Sequence, residues 1–359
     1  MAETERIKTE GDATTVRGEE RFLIIGAGIA ALAAAREIRR IHPAASVVLV
    51  GEELALPYDR RALSKTVPLP QFGERFALYP PEWYSRQGIF YLGGRVVSRL
   101  LPRAKQAELS NGELLSYDKC ILATGAQSIL PAIDGIGLPG VFTLRTLADL
   151  EALALAIRPE ARAVILGGGL LGLEAAWQLY LGGCRVTVLE NEHWLLAGHL
   201  SREVSEQLIR HAAEREVDIR VGVTVSRLEG DDGVRRIILP GEYLKADLVL
   251  LCCGASPRAE LAREAGLEVD RGIVVNSRMM TAKYGIYACG DCAQIGQTVC
   301  GTWREAENMG LFAGRNAAGE DAMYHPLPTT LSADFFGIRL MMGEDGTGEV
   351  QKETDHSML

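Results

Sequence analysis

Two glycine-rich segments of this sequence have the spacing of a phosphate-binding turn. Residues 26–31 read GAGIAA, and residues 167–172 read GGGLLG. In this G-x-G-x-x-G/A spacing the first glycine permits a tight turn and the second lets the backbone approach a pyrophosphate, while the third small residue lets a helix pack closely on a strand. One such segment is a weak signal. Two of them indicate that the protein binds dinucleotides.

Each glycine segment lies between a predicted strand and a predicted helix. Apolar runs at 21–25 and 164–166 come directly before the glycines, and helix-forming stretches at 32–40 and 170–180 follow them. The N-terminus of each helix would therefore face the phosphates of a bound dinucleotide.

A carboxylate follows the next predicted strand in both units. The strand at 46–50 leads to Glu52, and the strand at 185–189 leads to Glu190. An acid at this place can accept hydrogen bonds from ribose hydroxyls.

Glu190 also predicts which nicotinamide cofactor is used. Its charge would repel a 2′-phosphate, and its neighbours Asn191 and Glu192 supply no cation. We therefore expect NADH to be favoured over NADPH, a preference that His193 would weaken if it were protonated.

Three further segments end apolar strands with small residues. The segments LATGA at 122–126 and LLCCGA at 250–255 are typical of points where a chain crosses between domains. In the third, GIYACGDCA at 285–293, Asp291 follows a glycine at a strand end, and a helical stretch follows at 303–316. An aspartate there can hold a ribityl chain.

Composition excludes several classes of protein. The 359 residues carry a net charge of -9, which argues against nucleic acid or an anionic membrane as the main partner. No run approaches the roughly 18 apolar residues of a spanning helix, so we expect a soluble protein without membrane insertion. Residues 1–19 have no apolar core and are expected to be a disordered leader rather than a targeting signal.

Cysteines and histidines add no further predicted site. Seven cysteines without an export signal favour reduced thiols and a cytoplasmic location. Cys289 and Cys292 form C-x-x-C, but they flank the Gly-Asp that a flavin site needs, so we interpret them as small packed residues rather than a redox pair. The six histidines show no metal-ligand spacing, so no metal site is expected.

Taken together, these motifs resemble the two-dinucleotide-fold flavoprotein family of NADH-dependent reductases, over about residues 20–345. The string PYDRRALSK at 57–65 is similar to the PYDRPxLSK segment of ferredoxin reductases, rubredoxin reductases and apoptosis-inducing-factor-like proteins, with Arg61 in place of the usual proline. The disulfide-using branches carry cysteines near this place, and here there is none. Electron transfer through an active-site disulfide is therefore not expected.

The resemblance implies a set of residues for each cofactor. Those implied for FAD are Gly26, Gly28, Ala30, Ala31, Glu52, Arg60, Lys65, Val97, Ala123, Thr124, Gly125, Arg145, Gly290, Asp291 and Trp303. Those implied for NADH are Gly167, Gly169, Leu170, Leu171, Gly172, Glu174, Glu190 and Gly254.

Lys65 and Glu174 are the implied catalytic pair, which in the family lies beside flavin N5. A buried lysine needs a carboxylate partner to stay charged, and a charge in the first turn of an apolar helix is expected to be buried. If Trp303 begins a helix pointed at the flavin, the positive end of that helix would stabilise reduced flavin by about 1 kcal/mol.

The predicted fold class is α/β, with two Rossmann-like dinucleotide-binding domains. We expect an FAD domain at 20–126 and 255–320, split by an inserted NAD domain at 127–254. A short, curtailed C-terminal interface segment is expected at 321–359, with one strand at 335–341 and a polar tail from residue 345.

The predicted function is transfer of hydride from NADH to FAD, followed by single-electron transfer to a rubredoxin-like or ferredoxin-like protein. Two alternatives remain open. One is an NADH oxidase that uses oxygen. The other is a flavin-bearing electron-transfer or sensor subunit of a larger complex, which the curtailed C-terminal segment suggests.

Overall fold

The computed structural model describes residues 20–66, 76–328, 331–343 and 348–352. The predicted leader at 1–19 lies outside the described residues. The α-helices of the described chain are α1 (Ile29–Ile41), α2 (Pro81–Gln87), α3 (Leu147–Ala156), α4 (Leu170–Leu181), α5 (Arg202–Ala213), α6 (Glu260–Glu264) and α7 (Trp303–Ala317).

The strands form parallel and antiparallel sheets. In chain order they are β1 (Arg21–Ile25), β2 (Ser46–Gly51), β3 (Ile89–Gly93), β4 (Val97–Leu101), β5 (Gln106–Leu109), β6 (Leu114–Ser116), β7 (Lys119–Leu122), β8 (Ala126–Ser128), β9 (Val141–Phe142), β10 (Arg162–Leu166), β11 (Arg185–Leu189), β12 (Asp218–Arg220), β13 (Arg227–Glu229), β14 (Arg236–Leu239), β15 (Glu242–Lys245), β16 (Leu248–Leu251), β17 (Ala255–Pro257), β18 (Ile273–Val275), β19 (Ile286–Ala288), β20 (Ala293–Ile295), β21 (Thr298–Val299), β22 (Leu331–Phe335), β23 (Ile338–Met342) and β24 (Gly348–Lys352).

The N-terminal sheet has the parallel order β19-β7-β1-β2-β3 among the described residues. Its central strands β1 and β7 are continuous buried apolar runs, as expected for a parallel sheet that is covered on both faces. Strands β2 and β7 lie on opposite sides of β1, so the strand order reverses at β1. Ligands of open α/β sheets bind at the carboxyl ends of the strands at such a switch point.

The central sheet has the parallel order β12-β11-β10-β16-β9 and repeats this arrangement. Here β11 and β16 flank β10, and the second glycine segment follows β10 directly. Strands β8 and β17 pair antiparallel where the chain leaves the N-terminal sheet region and where it returns to it. The expected α/β class with two Rossmann-type sheets is confirmed, while the exact domain boundaries stay a prediction.

Each of the two sheets has an arginine–aspartate ion pair at the start of its central strand. Arg21 begins β1 and donates from Nε and Nη2 to Asp118 at 3.0 and 3.1 Å. Arg162 begins β10 and donates from the same two atoms to Asp247, at 2.9 Å each. In both cases the backbone N–H of the arginine also donates to the aspartate at 2.9 Å. The repeat therefore extends beyond the glycine segments that the sequence revealed.

Helix α7 packs on α1 through glycines. A Cβ atom on Gly310 would lie 2.1 Å from the carbonyl oxygen of Ala30, and one on Gly314 would lie 2.4 Å from that of Ala34. Residues four apart share a helix face, so these two positions let the backbones approach closely.

The C-terminal segment forms a three-stranded antiparallel sheet of β22, β23 and β24 in the described residues. The single strand expected at 335–341 is wrong, because Phe336 and Gly337 have φ angles of 53° and 69° and turn the chain back as a hairpin. The polar tail expected from residue 345 is also wrong at Gly348–Lys352, which pairs with β23. Residues 344–347 and 353–359 lie outside the described part.

Buried side chains of the C-terminal sheet complete the core of the central sheet. Phe335, Phe336 and Leu340 belong to the same buried cluster as the residues of α4 and β10. Tyr58 and Leu63, which lie between β2 and β3 in the chain, belong to that cluster too. None of the described helices is long and apolar enough to cross a membrane.

Candidate active site

In the first glycine segment, packing within the fold requires a glycine at one position but not at another. Gly26 has a φ of 121°, and a Cβ there would lie 2.0 Å from the carbonyl oxygen of Ala123. Gly28 precedes α1 with extended backbone, and no atom lies within 4 Å of the position of a Cβ. Packing within the chain therefore does not require glycine at 28. Open space at a helix N-terminus fits a phosphate group.

The second segment repeats this division. Gly167 has a φ of 112° and faces the carbonyl oxygen of Cys252 at 2.3 Å, and Gly172 faces that of Gly167 at 2.0 Å, both measured from an added Cβ. Gly169 precedes α4 and has open space around it. Leu170 and Leu171 form the first turn of α4, and Gly254 has a φ of 97° where the chain leaves β16.

Small residues behind the first segment bring α1 close to its neighbours. Ala30 and Ala31 are both buried. A Cβ on Gly290, which has a φ of 73°, would lie 2.9 Å from that of Ala30. This contact brings the GDC turn after β19 against the N-terminus of α1.

Glu52 lies at the carboxyl end of β2, as predicted, and is half-exposed. Its carboxylate accepts a hydrogen bond of 2.6 Å from Arg258. The backbone of Arg258 in turn binds the crossover after β7, donating to the carbonyl of Gly125 at 2.9 Å and accepting from the hydroxyl of Thr124 at 2.6 Å. The acid and the small residues of the crossover are therefore joined at one edge of the sheet.

Glu190 is fixed beside the second glycine segment. One carboxylate oxygen accepts from the backbone N–H of Gly168 at 2.6 Å, and the other accepts from that of Glu192 at 2.8 Å. The charge is thus held at the carboxyl end of β11, where a ribose would lie.

Arg145 and Asp291 form an ion pair of 2.7 Å between distant parts of the chain. The Nε atom of Arg145 also donates to the carbonyl of Ala126 at 3.2 Å. Arg145 and Asp291, both predicted for FAD, therefore lie together beside the segment at 122–126. Val97 begins β4 in the small antiparallel sheet and is partly buried.

Lys65 and Glu174 are brought together across the two sheet regions. Lys65 Nζ lies 3.6 Å from Glu174 Oε1, and the hydroxyl of Ser64 donates to the other carboxylate oxygen. The side chain of Lys65 is 52% exposed and that of Glu174 is 13% exposed, and burial of the lysine beside a bound flavin stays a prediction. The carboxylate is buried because α4 packs against the central sheet, whereas Lys65 reaches it from a surface turn.

Trp303 is the first residue of α7, whose N-cap is the side chain of Thr302. The guanidinium of Arg61 lies 4.8 Å from the centroid of the Trp303 ring. Asp59 holds Arg61 through hydrogen bonds of 2.9 and 2.6 Å. Sequence reasoning noted Arg61 only as a departure from the usual proline.

Glu53 is a site residue that sequence reasoning missed. Its carboxylate accepts from the hydroxyl of Tyr58 at 2.8 Å, from Arg60 at 2.5 Å and from the backbone N–H of Leu147 at 3.2 Å. Arg60, which was implied for FAD, is therefore paired within the protein. Two adjacent glutamates follow β2, and no sequence signal shows which one turns inward.

The cysteines form no disulfide, and all seven thiols are free. Cys289 and Cys292 are fully buried, and burial raises the pKa of each thiol. Cys292 Sγ donates to the carbonyls of Cys289 and Leu122 at 3.3 and 3.4 Å. Such thiols stay protonated and are poor nucleophiles.

Comparison with known proteins gives consistent similarities. A family profile described as pyridine nucleotide-disulphide oxidoreductase matches residues 20–310. The ferredoxin–NAD(+) reductase subunit of the benzene 1,2-dioxygenase system of Pseudomonas putida is 34% identical, over 91% of this chain and 81% of that protein. The rubredoxin-NAD(+) reductase of Pseudomonas putida is 35% identical, over 80% of this chain and 76% of that protein.

A solved structure supports the same relationship. The covalent putidaredoxin reductase–putidaredoxin complex contains a chain that matches with a TM-score of 0.85 and 29% identity, covering 90% of this chain and 81% of that chain. The match of fold, glycine segments and sequence leads to one conclusion: this chain belongs to the pyridine nucleotide-disulphide oxidoreductase family.

Proposed function

We propose that this chain is an FAD-dependent NADH reductase that passes single electrons to a small redox protein of the ferredoxin or rubredoxin type. The observation that carries the proposal is a pair of nucleotide cradles, each formed by a glycine segment and the acid after the next strand. The Lys65–Glu174 ion pair joins the two sheet regions that contain these cradles. Relatives named as ferredoxin and rubredoxin reductases support the choice of acceptor.

The first cradle fits FAD. Gly28 leaves room for a pyrophosphate at the N-terminus of α1, and Glu52 offers a carboxylate for the adenosine ribose. Asp291, held by Arg145, offers a second acceptor where a ribityl chain would pass. The rest of the proposed set is Gly26, Ala30, Ala31, Arg60, Lys65, Val97, Ala123, Thr124, Gly125, Gly290 and Trp303.

The second cradle fits NADH. Gly169 leaves the corresponding space at the N-terminus of α4, and Glu190 presents a negative charge to the ribose. A 2′-phosphate would meet this charge, so we propose that NADH is used in preference to NADPH.

Bound FAD would supply the chemistry, by accepting hydride from NADH and releasing electrons one at a time. The chain supplies orientation and charge. The ammonium of Lys65 is held near the site by Glu174, and the positive end of α7 begins at Trp303. Each would favour negative charge that develops near it.

The experiment that tests the function is an anaerobic titration of the FAD-loaded protein with NADH. We expect the visible flavin absorbance to be lost and then restored by an oxidised ferredoxin or rubredoxin. A folded protein that does not take up FAD, or that keeps its absorbance with NADH, would overturn the proposal.

Two other outcomes would redirect the assignment. Rapid NADH consumption in air without an added protein would indicate an oxidase. Activity that appears only when a stoichiometric partner co-purifies would indicate a subunit of a larger complex. We also propose a cytoplasmic location, because seven free thiols persist in a reducing compartment.

A further inference from the structure

The segment 58–63 follows a strand of the N-terminal sheet in the chain, but its buried side chains pack in the core of the central sheet. Tyr58 and Leu63 follow β2 of the N-terminal sheet, yet each is only 4% exposed and lies in the buried cluster of the central sheet. The segment therefore joins the two cores.

Glu53 holds this segment from the side of the N-terminal sheet. Its carboxylate binds the hydroxyl of Tyr58 and the guanidinium of Arg60, and it also accepts from the backbone N–H of Leu147. Leu147 is the first residue of α3, and it is buried in the central cluster as well. One carboxylate thus contacts both the joining segment and a helix of the central region.

Arg60 connects Glu53 to Arg145 and, through Arg145, to Asp291. It donates to the carbonyl of Arg145 at 2.7 Å, and the side chain of Arg145 is the partner of Asp291. We call Glu53, Tyr58, Arg60, Arg145 and Leu147 the junction network. The network connects the place where the two sheet regions meet to the proposed ribityl site.

Partial burial makes the charges of Glu53 and Arg60 depend on each other. The side chains of Glu53 and Arg60 are 21% and 31% exposed, so each charge depends on its partner for part of its solvation. Burial is also the main cause that raises the pKa of Tyr58, which keeps its hydroxyl protonated as a donor.

We propose that Glu53 is a positioning residue that fixes the central sheet region on the N-terminal sheet region, and so sets where the nicotinamide of NADH meets the flavin. This inference rests on the proposed function. Reacting atoms must be aligned within a fraction of an ångström, and small displacements by distant changes cost rate rather than binding. The loss should therefore appear in the rate of flavin reduction at saturating NADH.

The test compares Glu53→Ala, Glu53→Gln and the wild type in two measurements. The first is the anaerobic rate of flavin reduction at saturating NADH. The second is hydrogen exchange of the peptide covering 145–150, measured without cofactor. We expect Glu53→Ala to lower the limiting rate, measured per bound FAD, about tenfold or more with NADH affinity unchanged, and to speed exchange at Leu147. Glu53→Gln keeps an acceptor but loses the charge, so its limiting rate and its exchange at Leu147 should lie between those of the wild type and Glu53→Ala.

Asp118→Asn is the matched control. It breaks the half-buried ion pair with Arg21, which lies at the opposite ends of the strands. It should lower stability without changing the limiting rate or the exchange of 145–150. An equal loss of rate in this variant would show that the effect follows stability alone and would overturn the proposal, as would a wild-type rate in Glu53→Ala.

A further variant and the wild type separate the remaining outcomes. If Glu53→Ala does not fold, Tyr58→Phe replaces it, because this change removes a single hydrogen bond to Glu53. We then expect a smaller loss of limiting rate and a smaller rise in exchange at Leu147. Unchanged values would overturn the proposal. A wild type that NADH does not reduce would refute the proposed function. In that case exchange at Leu147 still tests whether Glu53 holds the junction.

Discussion

Lys65 carries a charge that is only partly shielded by its partner. Its ammonium lies 3.6 Å from the buried carboxylate of Glu174, and half of the lysine side chain is exposed. On the proposed function, this cation lies where hydride arrives. Removing it would leave Glu174 uncompensated and would oppose the negative charge that develops there.

We therefore predict that Lys65→Met slows flavin reduction by NADH about 10- to 100-fold while FAD stays bound. Stopped-flow absorbance under anaerobic conditions measures the rate. Lys245→Met, at an exposed position on β15, is the control and should leave the rate unchanged. A normal single-turnover rate for Lys65→Met would remove Lys65 from the mechanism.

On the proposed function, the charge of Glu190 determines which nicotinamide nucleotide is used. We predict that Glu190→Gln lowers the ratio of kcat/KM for NADH over NADPH by about tenfold, because the amide keeps an acceptor but no longer repels a 2′-phosphate. Steady-state rates with both nucleotides measure the ratio. Glu192→Gln changes the exposed neighbouring charge and should alter the ratio little. A wild type that turns over faster with NADPH would contradict the assignment.

At the scale of single residues, the sequence predicted positions better than contacts. It located Glu190 from its place after a strand, and the family resemblance implied the Lys65–Glu174 pair. It could not distinguish Glu53 from Glu52, since the direction of a side chain after a strand depends on tertiary neighbours. It also could not predict the contact of Arg61 with Trp303, which joins residues far apart in the chain.

At the scale of elements, the contact between α1 and α7 depends on small residues. Gly310 faces backbone atoms of Ala30, and backbone cannot move aside as the end of a flexible side chain can. Alanine is the better helix former by up to about 1 kcal/mol, but a Cβ at this distance requires the two helices to separate.

We predict that Gly310→Ala destabilises the protein by about 1–3 kcal/mol and weakens FAD retention, because α1 begins at the first cradle. Thermal unfolding and the FAD content of purified protein measure the two effects. Gly137→Ala has open space around its Cβ and no positive φ, so it should be neutral. A stability of Gly310→Ala equal to that of the control would show that the helices can adjust.

The regular elements were predicted from the sequence more accurately than the turns between them. Strands β1 and β11 have the bounds expected from their apolar runs, and α7 begins at Trp303 as expected. The hairpin at Phe336 and Gly337 was missed because a single glycine inside an apolar run is a weak turn signal, and a phenylalanine at positive φ adds none. Its conformation is set by burial of the ring in the central core, which is a tertiary effect.

At the scale of the whole molecule, the repeated arginine–aspartate pair makes stability depend on pH. The side-chain hydrogen bond from Arg21 is the main cause that lowers the pKa of Asp118, and that from Arg162 lowers the pKa of Asp247. A carboxyl with a lowered folded-state pKa stabilises the fold above its unfolded pKa of about 3.9, and this contribution is lost as pH falls through the folded-state value.

We predict that Asp247→Asn has a lower Tm than the wild type at neutral pH and that the difference shrinks below about pH 4. Calorimetry across this pH range measures both values. Asp231→Asn, at an exposed loop position, should match the wild type throughout. A difference in Tm that stays constant into strong acid would mean that the ion pair is not its source.

The sharing of one core by distant segments has a consequence for synthesis on the ribosome. The central sheet is complete once β16 has emerged, but its hydrophobic interior also needs Phe335 and Phe336, which are translated more than eighty residues later. Until then that interior lacks one wall and is open to chaperones or to aggregation. Slow translation between β16 and β22 would prolong this vulnerable interval.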